Sequence, residues 1–344
     1  MKRPIWALAI LTGIISLTLH AEEDPWGNPV PQQENPEPQK QNPQNEIQAL
    51  QQALLNPDGL AQLLGKPLLE AKSEHFRIIS MLSDSDNRAI LEHTEKAVAE
   101  LGKILQDPDI FATVPDKLVF LILDSREAYE TYVKTMVKAQ VSDEVNAGLL
   151  LRAAGFAIPT QSEIFKINQL HPQAPRVHNC GFVAHGAVTH FLEAWKNPGK
   201  GSKPLPAWFR VGAVLLVDMK ISGNGGYYEI AYGKADSKDE YRDVSKREDW
   251  LRLYKDAKEP LSLEKVINTS FAAFTHECRA ISWMACETLL ESKKKGIMAE
   301  LTEKFRTAGD YETCLTEVTG WNYKKFSSRM ADWVNSQKIA KEKK

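Results

Sequence analysis

Residues 116–132 read DKLVFLILDSREAYETY. The apolar run from Leu118 to Leu123, set between Asp116-Lys117 and Asp124, is the clearest strand in the chain. Residues 125–137 then read as a helix carrying Tyr129, Tyr132 and Val133. Upstream, residues 73–82, SEHFRIISML, form a second strand-like stretch. Ser83-Asp84 caps a helical run to about residue 105, with Ile90, Ala97, Val98, Leu101 and Leu105 at helical spacing. Downstream, residues 148–158 and 162–167 are strand candidates, joined through Pro159-Thr160-Gln161. Residues 47–69 suggest short helices around a turn at Asn56-Pro57-Asp58-Gly59. Mixed strands and helices around a small sheet make residues 73–168 the α/β part of an α+β fold.

After His171 the pattern turns helical. Residues 173–195 read as one long helix ending at Asn197-Pro198-Gly199, and Leu205-Pro206 starts a second over residues 207–219. GGYYEIAYG, within residues 223–233, allows a short strand. Residues 263–268, 270–292, 297–308, 310–318 and 324–335 are the later helix candidates, so residues 171–340 form a mostly helical part.

The amino terminus carries an address. Met1-Lys2-Arg3 is basic, residues 5–19 are largely apolar, and His20-Ala21 precedes an acidic Glu22-Glu23-Asp24. That order predicts a signal peptide over residues 1–21 and a periplasmic or extracellular protein, an uncleaved anchor being the alternative. Residues 22–46 are rich in Pro, Gln, Asn and Glu and should be a mobile tether, leaving residues 47–340 as the folded domain. No later stretch is apolar enough to span a membrane. A net charge of −2, without a basic stripe, argues against a nucleic-acid partner. Export permits disulfides among Cys180, Cys278, Cys286 and Cys314. Cys278 and Cys286 on one helix would lie about 12 Å apart and cannot pair. One bridge or four buried thiols both remain open.

Other chemistries find little support. The sequence holds no G-x-S-x-G elbow and no phosphate-cradling P-loop. His276-Glu277 reads as a surface or capping pair. Cys180 with His178 or His185 lacks an orienting third group for nucleophilic catalysis.

The motif-bearing stretches are EHFRI at residues 74–78, LDSREAYETY at 123–132, the Thr189-His190 pair in its long helix, and LPAWFRVG at 205–212. In this order they resemble the peptidase-MA-like group of gluzincin zinc metallopeptidases, exported bacterial proteins. The resemblance covers most of residues 73–335, and Pro206–Gly212 is its most specific piece. It implies a helix reading H-E-x-x-H, whose two His bind zinc while the Glu activates a water. A Glu from the next helix would be the third ligand.

This chain departs from that pattern. The matching helix reads Val183-Ala184-His185-Gly186-Ala187-Val188-Thr189-His190. Aligned on Thr-His, Gly186 replaces the first ligand and Ala187 the general base, leaving His190 as the surviving ligand. Val211 stands where the third ligand belongs. Asp218 matches an acidic position of the second helix, about two turns beyond Val211. His185 and His190 lie about 140° apart on a helix and do not easily share an ion. Glu193, one turn after His190, is placed to pair with it or to line a vestigial cleft, and Trp208 to pack in the core or flank a ligand. The sequence therefore predicts an exported pseudopeptidase that needs no cofactor and binds a polypeptide or serves as an envelope scaffold. Its cleft candidates are His185, His190, Glu193, Trp208 and Asp218. The alternative is an active zinc peptidase with non-standard ligands.

Overall fold

In the computed structural model, the described residues are 43–114, 117–151, 155–160, 163–170, 176–197, 199, 202–223, 229–231, 240–242, 246–258, 260–270, 273–292, 294–307 and 310–338. Five strands, β1 (Leu69–Lys72), β2 (Phe76–Ser80), β3 (Lys117–Leu123), β4 (Gly155–Pro159) and β5 (Glu163–Gln169), form one sheet in the order β1-β2-β3-β5-β4. β2, β3 and β5 are parallel, and the two edge strands β1 and β4 run antiparallel to their neighbours. The apolar run that marked β3 is explained by its position. Leu118, Phe120 and Ile122 enter the core on one face of the sheet and Val119, Leu121 and Leu123 the core on the other. A strand covered on both faces has no polar alternation.

One face carries α3 (Asp84–Leu105) and α6 (Arg176–Ala194). The other is covered by α1 (Pro43–Ala53), α2 (Pro57–Leu64), α4 (Arg126–Lys138) and α5 (Glu144–Leu150). The α3 core continues without a break into α7 (Ala207–Ser222) and α10 (His276–Glu291), so the α/β and helical parts share one interior. Gly212 permits the contact between α7 and α10. A Cβ there would sit 2.2 Å from the Ser282 carbonyl oxygen and 2.6 Å from Cys286 Sγ. Against this pair pack α8 (Arg247–Lys255), α9 (Leu263–Ile267), α11 (Ile297–Thr307) and α13 (Tyr323–Ser336), with α12 (Tyr311–Thr319) on α11; β6 (Glu229–Ala231) and β7 (Glu240–Arg242) pair as a separate two-stranded ribbon. The architecture is α+β: a small mixed sheet followed by a mostly helical region.

Several sequence expectations need correction. Asn56-Pro57-Asp58-Gly59 is the start of α2, with the Asn56 side chain accepting from the Asp58 N–H as its cap. Residues 148–158 are no single strand, because α5 runs to Leu150 and β4 begins at Gly155. The helix expected from residue 270 starts at His276, where Thr275 caps it. The tether expected to residue 46 ends earlier, since α1 begins at Pro43. Residues 1–42, with the signal peptide and most of the tether, lie outside the described residues, as do 173–175 of the long helix. The cysteines are four buried free thiols. No helix of the described residues is long and apolar enough to cross a membrane.

Candidate functional site

Helix α6 buries Val183, Ala184, Ala187, Val188, Phe191 and Leu192. It leaves Phe182, His185, Gly186, Thr189, His190 and Glu193 partly exposed. These six recur at helical spacing and form one open stripe. Along one flank of it α7 runs antiparallel to α6. Near the start of the stripe His185 Nδ1 lies 2.8 Å from Asp218 Oδ2. About 12 Å further along α6, Glu193 Oε1 accepts from Arg210 at 3.1 Å. The order reverses between the helices, His185 to Glu193 against Asp218 to Arg210.

The upper pair is mostly buried. Asp218 is 1% exposed, whereas the His185 side chain keeps 27% of its surface. An ionised Asp218 would hold the proton of His185 on Nδ1 and leave the lone pair on Nε2. The other carboxylate oxygen, Asp218 Oδ1, is buried without a hydrogen-bond partner among the described residues. Burial pushes the Asp218 carboxyl above its ordinary range, against the opposing pull of His185. The lower pair is fixed from behind. Arg306, 2% exposed, lies 3.9 Å from Glu193 Oε2. Arg306 also donates to the Leu192 and Glu193 carbonyls, each at 2.8 Å, and so satisfies groups at the end of α6.

The sheet opens on the same side. On the face turned to α3 and α6, Phe120 of β3 is fully buried. Its β5 neighbour Lys166 is half-buried, and the next residue across, Ala157 of β4, is exposed. Along this row the cover of the helices thins from β3 through β5 to β4. Ile164 of β5 and Phe182 of α6 both pack at the rim of the core, half-buried. β4 has no neighbouring strand on its outer side among the described residues.

Three of the residues singled out from sequence fall elsewhere. Trp208 is 1% exposed and packs edgewise on Phe209 and Phe305, with ring centroids 5.5 and 6.1 Å away. It belongs to the core and cannot flank a ligand. Ala187 is fully buried and Val211 is 7% exposed, so neither the general-base nor the third-ligand position belongs to the open stripe. A Cβ at Gly186, by contrast, would meet nothing within 4 Å. The i, i+1 and i+4 places on the open stripe are therefore His185, Gly186 and Thr189, one residue earlier than the Thr-His alignment placed them. His190 is also on the stripe, beside the Phe191 ring, but on the flank away from His185. Glu193 binds the two arginines instead of His190. His276 meets Trp250 edge-on, and Glu277 accepts from the Leu261 N–H at 3.0 Å, a contact that ties a loop to α10. The His178 side chain lies outside the described residues, and burial pushes the Cys180 thiol up, away from nucleophilic use.

These donors do not fit zinc. Gly186 and Val211 offer no ligand atom, Thr189 Oγ1 donates to the His185 carbonyl at 2.8 Å, and the Glu193 carboxylate is taken by arginines. No group of three His, Cys, Asp or Glu residues able to hold a metal occurs among the described residues. Sequence reasoning missed the His185–Asp218 pairing and the contacts of Arg210 and Arg306 with Glu193, because each depends on how α6 packs against α7 and α11. Comparison with protein-family models finds none that matches this chain, and none of the curated proteins matches it.

Proposed function

We propose that this chain is an exported, gluzincin-like pseudopeptidase whose groove binds extended polypeptide without cleaving it. The observation that carries the reading is the open stripe of α6. At the places where a zinc peptidase presents His, Glu and His, this helix presents His185, Gly186 and Thr189. The acidic groups near them are bound to His185, Arg210 and Arg306. What remains is a groove between that stripe and the uncovered β5–β4 face. β4 carries no charged residue, unlike β1 with Glu70 and Lys72, and an uncharged edge strand favours β-addition of a peptide. The basic-then-apolar start of residues 1–21 supports export.

Metal analysis of the full chain tests the reading. The wild type should purify without stoichiometric zinc. The double variant Gly186→Glu and Thr189→His, both changes on the open stripe beside His185, should gain zinc affinity, read by titration against a chelating indicator. No gain in a folded double variant would mean that the register on α6 is wrong. A second reading, a zinc peptidase with non-standard ligands, is favoured by one feature. A carboxylate bonded to the inner nitrogen of an imidazole, as in Asp218–His185, is also how metal-bound histidines are oriented. One zinc per wild-type chain, lost on His185→Ala, would establish that reading instead.

A further inference from the structure

Lys166 sits in the middle of β5, in register with Phe120 on one side and Ala157 on the other. It shares the face of Ile164, which packs at the rim of the core, and of Asn168, which is buried, and is itself half-buried beside the exposed Ala157. Its amine has no hydrogen-bond or ion-pair partner among the described residues. Other lysines of this region are placed differently: Lys72, on the charged edge, is 66% exposed and reaches Glu70 at 2.8 Å. The carboxylate nearest in sequence, Glu163, is engaged by Arg77 at 3.5 Å. Asn168 is held locally, its amide donating to the Lys166 carbonyl at 3.0 Å.

The Lys166 side chain is half-buried and its unpartnered amine still meets solvent, so an arriving carboxylate can reach it and offset its partial loss of water. Burial already lowers the Lys166 amine from its ordinary range, which is the expected signature of a cation short of a partner. The position is one strand in from the free β4 edge. A peptide added along β4 would lie next to that edge with alternate side chains on the Lys166 face.

We infer that Lys166 is an anion-recognition residue of the groove, and that the polypeptide bound along β4 carries a carboxylate side chain which pairs with it. This rests on the peptide-groove reading for its partner but not for the anion site itself, and two measurements separate them. The first uses the full chain with its lysines reductively methylated with carbon-13, a change that keeps their charge. The Lys166 signal is assigned by its loss in Lys166→Arg. Titration with N-acetyl-glutamate amide, a single side-chain carboxylate, should shift the Lys166 signal saturably while exposed lysines drift without saturating. A Lys166 signal that drifts like the others would overturn the inference, whatever peptides do.

The second uses extended decapeptides in pairs that differ by Glu or Gln at one position. At one position the Glu member should bind the full chain about tenfold tighter. That preference should vanish in Lys166→Met and persist in Lys166→Arg. Equal binding of every pair to the wild type overturns the anion inference and leaves the peptide groove standing. If no decapeptide binds, the groove reading fails and the methyl titration alone decides Lys166.

Discussion

Asp218 gives one oxygen to His185 and has no partner for the other among the described residues. Because burial raises its carboxyl, the folded state holds that proton to higher pH than the unfolded chain does. The resulting stability is fully present below the ordinary carboxylate value of 3.8 and is lost as pH rises through the raised one. Asp218→Asn keeps an acceptor for His185 and removes the charge. It should leave stability unchanged in acid and raise it at neutral pH, by about 1 kcal/mol or more. Urea titrations across the pH range check this, and a neutral-pH loss would show that the ion pair outweighs burial. Lys166 has the opposite sign. Its lowered value means that the unfolded chain binds the proton more tightly, so stability rises with pH up to about 10.5. Lys166→Met should abolish that slope and give its largest gain near neutrality, read from the same titrations. The sequence named His185, His190, Glu193 and Asp218, but not who pairs with whom. It also put Ala187 in the groove. On a helix apolar nearly all round, adjacent Gly186 and Ala187 offer no contrast from which to read the outward face.

At the scale of elements, legibility followed local chemistry. The start and end of α3 were clear because Ser83 caps it, its side chain accepting from the Asp86 N–H, and because its buried residues keep helical spacing. β3 was clear because both its faces are buried. β1 was missed, since three of its four residues are exposed and it exists as a strand by pairing with β2. The apolar stretch from residue 148 was read as strand although its beginning is helical, since a short apolar run does not by itself distinguish the two. Close approach of elements was equally invisible. Gly212 looks like any glycine near a helix start until α10 is seen against it. Gly212→Ala should destabilise the fold by about 1–3 kcal/mol or more, since the contact is with backbone, which yields little. Chemical denaturation measures this, and a neutral result would mean that α7 and α10 separate easily.

For the molecule as a whole, β2 and β3 contribute side chains to the cores on both sides of the sheet, and one of those cores reaches through α6 and α7 to the last helix. Neither part can lose its packing without exposing the other. Calorimetry should therefore give a single transition whose van't Hoff and calorimetric enthalpies agree, and two resolved transitions would contradict a shared interior. The proposed groove would lie between α6 and the open end of the sheet, and the central claim is that it binds without cutting. The direct measurement is incubation of the full chain with a library of unfolded polypeptides, with and without a metal chelator, followed by mass spectrometry of all termini. The account predicts bound, intact polypeptide and no new termini in either condition. Cleavage that the chelator abolishes, and that His185→Ala also removes, would contradict it.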